Sequence, residues 1–295
     1  MSPSTKKPEP LLDHVVILVP HAFLTSPPPW LAESFTLYPG GQHRDGVTEN
    51  VLVFFADGSY LELIAFVDND TGRKGRSGHR WGAQKEGNVI DWALTLLSDP
   101  TTSDDEPADV PESTRAEFGE IQRGVKAAGA GGDRVPGPCG RGPKPARWRG
   151  AQVGHLVGGG GGGRKAFLRV PYREQPLVKH ASGAVGVAVL QVAPPSSPSS
   201  ASDLRAVYDV LFSKKEKSED GSQVSRWTVK TPEPGHHKGG EVYLVEQGTS
   251  SSNDEGEKKK LSLKLFTTSP EFAGRKIGGP VTDQVRLEFD FIPAT

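Results

Sequence analysis

The pattern of apolar and polar positions centres on Glu49 to Val67, read E-N-V-L-V-F-F-A-D-G-S-Y-L-E-L-I-A-F-V, where two near-continuous runs of β-branched and aromatic residues, apolar on both faces, flank Asp57-Gly58. That dipeptide tolerates positive φ, so the stretch predicts a β-hairpin closed by a two-residue type I′ turn. Side chains alternate across a strand, which puts Tyr60, Glu62, Ile64 and Phe66 on one face and Leu61, Leu63, Ala65 and Val67 on the other. Glu62 is thereby a carboxylate among apolar neighbours. The apolar run Leu12 to Val19 repeats the situation, with His14, Val16 and Leu18 sharing a face. If the two strands pair with these faces aligned, imidazole and carboxylate converge.

The rest of the chain shows the same pattern twice. Ser26 to Phe35 reads as a short helix capped by Ser26, and Phe35 to Tyr38 as a brief strand before the loop Pro39 to Gly46. With the hairpin, the order is β-α-β-β-β. Val89 to Leu97 is apolar but too short to assign as strand or helix by period, and Pro111 to Val125 predicts a helix. Ser182 to Val192 is a buried-strand pattern. Ser200 with Asp203 forms a capping-box signature for a helix whose Leu204, Val207, Tyr208 and Leu211 fall at i, i+3, i+4 and i+7. Arg226 to Lys230, Glu241 to Glu246 and Leu261 to Thr267 read as three strands, so β-α-β-β-β recurs, and Gln284 to Ile292 adds one more.

Composition narrows the picture. A chain of 295 residues suffices for one large or two ordinary domains, yet 35% apolar content with 36 Gly and 25 Pro implies substantial irregular segments. The foreign stretch is 134–173, with eleven glycines, nine Lys or Arg and no acid, including Gly158 to Gly163 unbroken. The glycine run lacks the strand, helix and Lys-Ser/Thr of a phosphate loop, and a nucleic-acid patch through the basic residues and Trp148 is the lesser reading, so an irregular or disordered insert is expected. A net charge of −1 selects neither nucleic acid nor anionic membrane as a partner. The single cysteine, Cys139, excludes a disulfide framework and a Cys-based zinc site. With no apolar leader and no run near 18 apolar residues, a cytoplasmic protein is expected.

A carboxylate removed from water needs a cation, a metal ion or a wet pocket. Taken singly, His14 has an ordinary reading as a core histidine and Glu62 as a salt-bridged acid; their pairing carries the signal.

The tandem β-α-β-β-β units, opened by L-D-H-V-V-I-L-V-P and continued by P-G-G-Q-H-R-D-G-V-T-E-N and Y-L-E-L-I, resemble the vicinal oxygen chelate superfamily. The closest likeness is to its glyoxalase-like branch, through the Gly-Gly-x-His, Gly-x-x-x-Asn and Tyr-Leu-Glu-Leu-Ile signatures. The resemblance covers 11–97 and 170–295 and is absent between. It implies an α+β fold of two tandem βαβββ modules forming an open-barrel cleft, with the Gly/Arg-rich insert between them. The expected divisions are a disordered 1–10, a first module 11–100, a linker 101–169 and a second module 170–295.

By the same resemblance, His14 and Glu62 match the first module's two metal ligands, for zinc, nickel, iron or manganese. Glu62 doubles as the candidate catalytic carboxylate, His43, Asn50 and Tyr60 as polar contacts to substrate, and Trp81 as lid or wall. The second module departs from the pattern, with Gly186 and Lys264 about where its ligands belong and His180 and Glu288 as the available substitutes. Two readings follow. One is a metal-assisted lyase, isomerase or dioxygenase-type enzyme acting on a small oxygenated metabolite in the inter-module cleft. The other is a non-catalytic small-molecule binding protein with a degenerate metal site. The implied partner is a small-molecule ligand, with neither nucleic acid nor membrane, and a homodimer is compatible if the modules meet across chains.

Overall fold

The computed structural model describes residues 9–44, 46–96, 112–128, 155–157, 176–192, 198–214, 224–245 and 259–295. Most of the Gly/Arg-rich stretch lies outside the described residues. Leu11–Leu18 is β1, and its near-continuous burial reflects cover on both faces. Two short helices follow, α1 (His21–Thr25) and α2 (Pro29–Ala32). They replace the expected Ser26-capped helix, because Pro28 at the N-cap and Pro29 at N1 start the second helix without a side-chain cap. Then come β2 (Tyr38–Gln42), β3 (Thr48–Phe54) and β4 (Tyr60–Phe66). The expected strand at Phe35 thus begins only at Tyr38.

The β3–β4 hairpin forms as expected with a different turn. Gly58 N–H donates to Phe55 C=O and Phe55 N–H to Ser59 C=O, and Gly58 alone, at φ 85°, is left-handed. A type I′ turn needs two positive φ angles; the chain uses a longer loop in which only the glycine takes one.

After α3 (Asp70–Arg76) comes β5 (Asn88–Thr95), which settles the ambiguous apolar run as a strand, then α4 (Glu112–Ala127) and β6 (His155–Val157). The second half holds β7 (Ala184–Val192), α5 (Pro198–Leu211), β8 (Ser213–Lys214), β9 (Val224–Val229), β10 (Gly240–Val245), β11 (Lys259–Thr267), β12 (Lys276–Pro280) and β13 (Val285–Pro293). Because α5 starts at Pro198, Ser200 lies inside its first turn and not at the N-cap position.

The strands make two sheets, ordered β2-β3-β4-β1-β5-β6 and β12-β13-β11-β7-β10-β9-β8. Neither closes into a barrel, and with few helices the architecture is mixed α+β. The halves repeat each other: β4 runs parallel to β1 and β5 antiparallel to it, as β10 and β11 do to β7. The second βαβββ unit therefore closes with β10. Lys264, expected to mark its fourth strand, sits instead on β11, the counterpart of β5. The expected count slipped by one strand because β8 has only two residues, too few to leave a periodic pattern.

One large core spans both halves, with Phe23, Leu31 and Phe35 in the same cluster as Phe289 and Phe291, and Phe118 and Tyr208 with Trp92 and Trp227. The halves are also tied by polar contacts. Asp57, at the hairpin tip, has one carboxylate oxygen 2.7 Å from Nε2 of the buried His237, and the other accepts the Ser59 amide and hydroxyl. The Gly239 amide donates to His237 Nδ1, which leaves Nε2 as the protonated nitrogen that donates to Asp57. A Cβ on Gly186 would lie 2.0 Å from the Asp57 carboxylate and 2.8 Å from His237 Nε2, so the glycine makes room for the pair.

Candidate functional site

The alternation read from the sequence places the site. Parallel pairing of β1 with β4 sets His14 opposite Tyr60 and Val16 opposite Glu62, so these side chains share the face of the first sheet turned away from the large core. His14 Nε2 lies 3.6 Å from Glu62 Oε2. On the other side of the carboxylate, Asn50 Nδ2 donates to Oε1 at 2.7 Å and His43 Nε2 stands 3.5 Å from the same oxygen. Asn50 and His43 arrive from the β2–β3 segment, where β3 pairs with β4. Gly40 lets Asn50 in: a Cβ there would fall 1.8 Å from Asn50 Oδ1. His43 Nδ1 is 2.8 Å from Thr48 Oγ1, which fixes its ring.

Four of the expected residues thus come together; Tyr60 lies against one of them, and Trp81 packs elsewhere on the same sheet face. Tyr60 stacks on His14 with ring centroids 4.6 Å apart. Trp81 is buried in an apolar cluster with Val16, Leu18, Ile64, Phe66 and Ile90, and the Arg80 guanidinium lies 3.9 Å over its ring. Beyond these, Asp13 Oδ1 accepts from His14 Nδ1 at 2.8 Å, and the buried Asp91 lies opposite Val16 with an oxygen 3.6 Å from Arg80. Asp91 was findable, since it is a charge within the apolar run V-I-D-W-A-L.

Electrostatics favour an ionised Glu62. Burial alone would raise its pKa, but the polar contact from His43, the charge of His14 and the Asn50 amide outweigh burial and hold it at about 2. Burial would lower His14, yet the Asp13 hydrogen bond and the charges of Asp13, Glu62 and Asp91 leave it raised.

The suggested substitutes in the second module serve other ends. His180 Nδ1 accepts the Thr36 amide and Nε2 donates to Phe54 C=O, so both nitrogens staple the halves together, and burial lowers its pKa. Glu288 pairs with Lys260 and Arg286.

For a divalent ion, imidazole and carboxylate are suitable donors, and a carboxylate behind the metal-facing histidine is a common outer-shell arrangement, here Asp13 behind His14. The two imidazoles, however, approach opposite oxygens of Glu62. Among the described residues no three His, Cys, Asp or Glu side chains converge on one point, so the donor set falls short of the three protein groups of a catalytic site.

The glyoxalase-like domain model matches residues 12–208. The chain belongs to the glyoxalase-like domain family. That places it in the vicinal oxygen chelate superfamily, whose members often use divalent metals, and its own family commonly binds small molecules and metals. Among solved structures, a hypothetical protein from Staphylococcus aureus aligns with this glyoxalase-like chain at a TM-score of 0.53 and 11% identity, covering 95% of this chain and 99% of its own. A xylose isomerase-like TIM barrel/4-hydroxyphenylpyruvate dioxygenase fusion protein aligns at 0.49 and 10%, covering 100% and 52%. The first of these supports the fold alone. No curated protein matches the glyoxalase-like chain. No helix among the described residues is long and apolar enough to cross a membrane.

Proposed function

We propose that the first-module face binds a small metabolite through two adjacent oxygens. The observation that carries this reading is the 3.6 Å separation of His14 Nε2, a donor when protonated, from the ionised Glu62 Oε2. A ligand hydroxyl donates to Glu62 while the neighbouring carbonyl or hydroxyl accepts from His14, and Asn50 and His43 hold the carboxylate in place. A pKa near 2 makes Glu62 a strong anchor and a weak proton acceptor, since a general base works best with a pKa near the operating pH. Binding is therefore the primary role, and proton transfer by Glu62 requires a ligand that displaces His14 or His43 from it.

The test is calorimetric titration with small α-hydroxy carbonyl compounds. Saturable binding is expected, weakened at least about tenfold, or about 1.4 kcal/mol, in both Glu62→Gln and His14→Ala. Equal affinity in all three proteins overturns the reading.

A second reading is favoured by Asp13 behind His14: a divalent ion, zinc, nickel, iron or manganese, held by His14 Nε2 and Glu62. Elemental analysis of purified protein decides it, with near-stoichiometric metal that chelator removes and His14→Ala lacks as the expected result. Its absence before and after metal loading removes this reading.

A further inference from the structure

A groove of about 450 Å³ opens at the β12 edge of the second sheet, lined by Lys260, Lys276, Gly278, Arg286 and Glu288 and by Trp30 and Ile277, which pack against the large core. That is room for a metabolite-sized ligand. Three strands build it in register: Lys260 lies opposite Arg286, Ser262 opposite Glu288 and Glu288 opposite Gly278, and Lys264 opposite Asp290 and Asp290 opposite Lys276. Leu263, Leu287, Phe289 and Phe291 point into the large core, so these polar residues share the opposite face.

We infer that this groove is a second ligand site, for a small dianion, a class that includes phosphate monoesters and dicarboxylates. Charge argues for the anion, since the lining sets three cations, Lys260, Lys276 and Arg286, against one carboxylate, Glu288. Glu288 does not cancel its neighbours. It takes Lys260 on one oxygen and Arg286 Nε on the other, which aims two cations with a single negative charge between them. Arg286 is fixed further by donation to Gly278 C=O. Pre-aimed charges of this kind reduce the ordering cost of binding.

Lys276 is held by Asp290, 3.4 Å from its Oδ2. A Cβ on Gly278 would sit 2.2 Å from Leu287 O, so that position of the lining stays bare.

The test uses the full chain with glycerol 3-phosphate and malate as probes, followed by thermal shift and calorimetry. In the Glu62→Gln background, which removes the anchor of the first-module face and so separates the two sites, saturable binding is expected, at least tenfold weaker when Lys276→Ala or Arg286→Ala is added. Both cations are largely exposed, at 59% and 46% of the side chain, so the variants fold. No saturable binding in that background, or undiminished binding in the two cation variants, overturns the proposal.

Discussion

Asn50 shows how much of the site rests on one amide. Its Nδ2 is the shortest contact to Glu62 given by the neighbouring side chains, 2.7 Å against 3.5 and 3.6 Å from the two imidazoles. Asn50→Ala should raise the Glu62 pKa from about 2, read by NMR titration of the side-chain carbon, and cost about 1–3 kcal/mol in denaturant unfolding. The pH dependence follows in sign. The folded pKa of Glu62 lies below its ordinary 4.5, so its contribution is present above about pH 4.5 and is lost as pH falls towards 2. His14, raised from 6.5, acts the other way: its contribution is full below that value and disappears as pH rises through the raised pKa. The stability difference between the native protein and Glu62→Gln, measured by urea unfolding, should therefore shrink from pH 5 to pH 2. His14 and Glu62 were legible because alternation in an apolar strand exposes any charge that breaks it. Asp13 was not, because the β1–β5 register shifts between Leu12 and His14 and interrupts the alternation that would assign its face. Asp91 broke the pattern just as visibly, but its run could not be assigned to strand or helix, so it had no face.

Elements differ in how plainly they are written. Strands of seven or more residues with flanking turns, β1, β4 and β7 among them, are visible in the sequence, and the two-residue β8 is invisible, which displaced the expected fourth strand of the second unit onto β11. The hairpin was evident from Asp-Gly, while its turn type was decided by packing. Gly58 carries φ 85°, and a Cβ there would lie 2.8 Å from Pro232. Gly58→Ala should cost at least about 1–2 kcal/mol for the left-handed backbone alone, measured by urea unfolding. Gly186→Ala, at a normal φ but 2.0 Å from a buried carboxylate, should cost about 1–3 kcal/mol through overpacking.

At the scale of the molecule, the sequence disclosed a duplication and left open how the copies meet. Contacts between residues some 180 positions apart have no local signature, so neither the shared core nor the Asp57–His237 pair could be read in advance. His237→Ala leaves Asp57 buried with one oxygen unpaired, and should destabilise the chain by about 3 kcal/mol in urea unfolding. The hairpin tip, seated at Gly186 and gripped by His237, makes each half the missing wall of the other. Heating should therefore produce one calorimetric transition with equal van't Hoff and calorimetric enthalpies, and a fragment ending before β7 should be obtained only as insoluble or protease-sensitive material. Two halves of like topology are locked at that tip, so neither should survive truncation or transplantation alone.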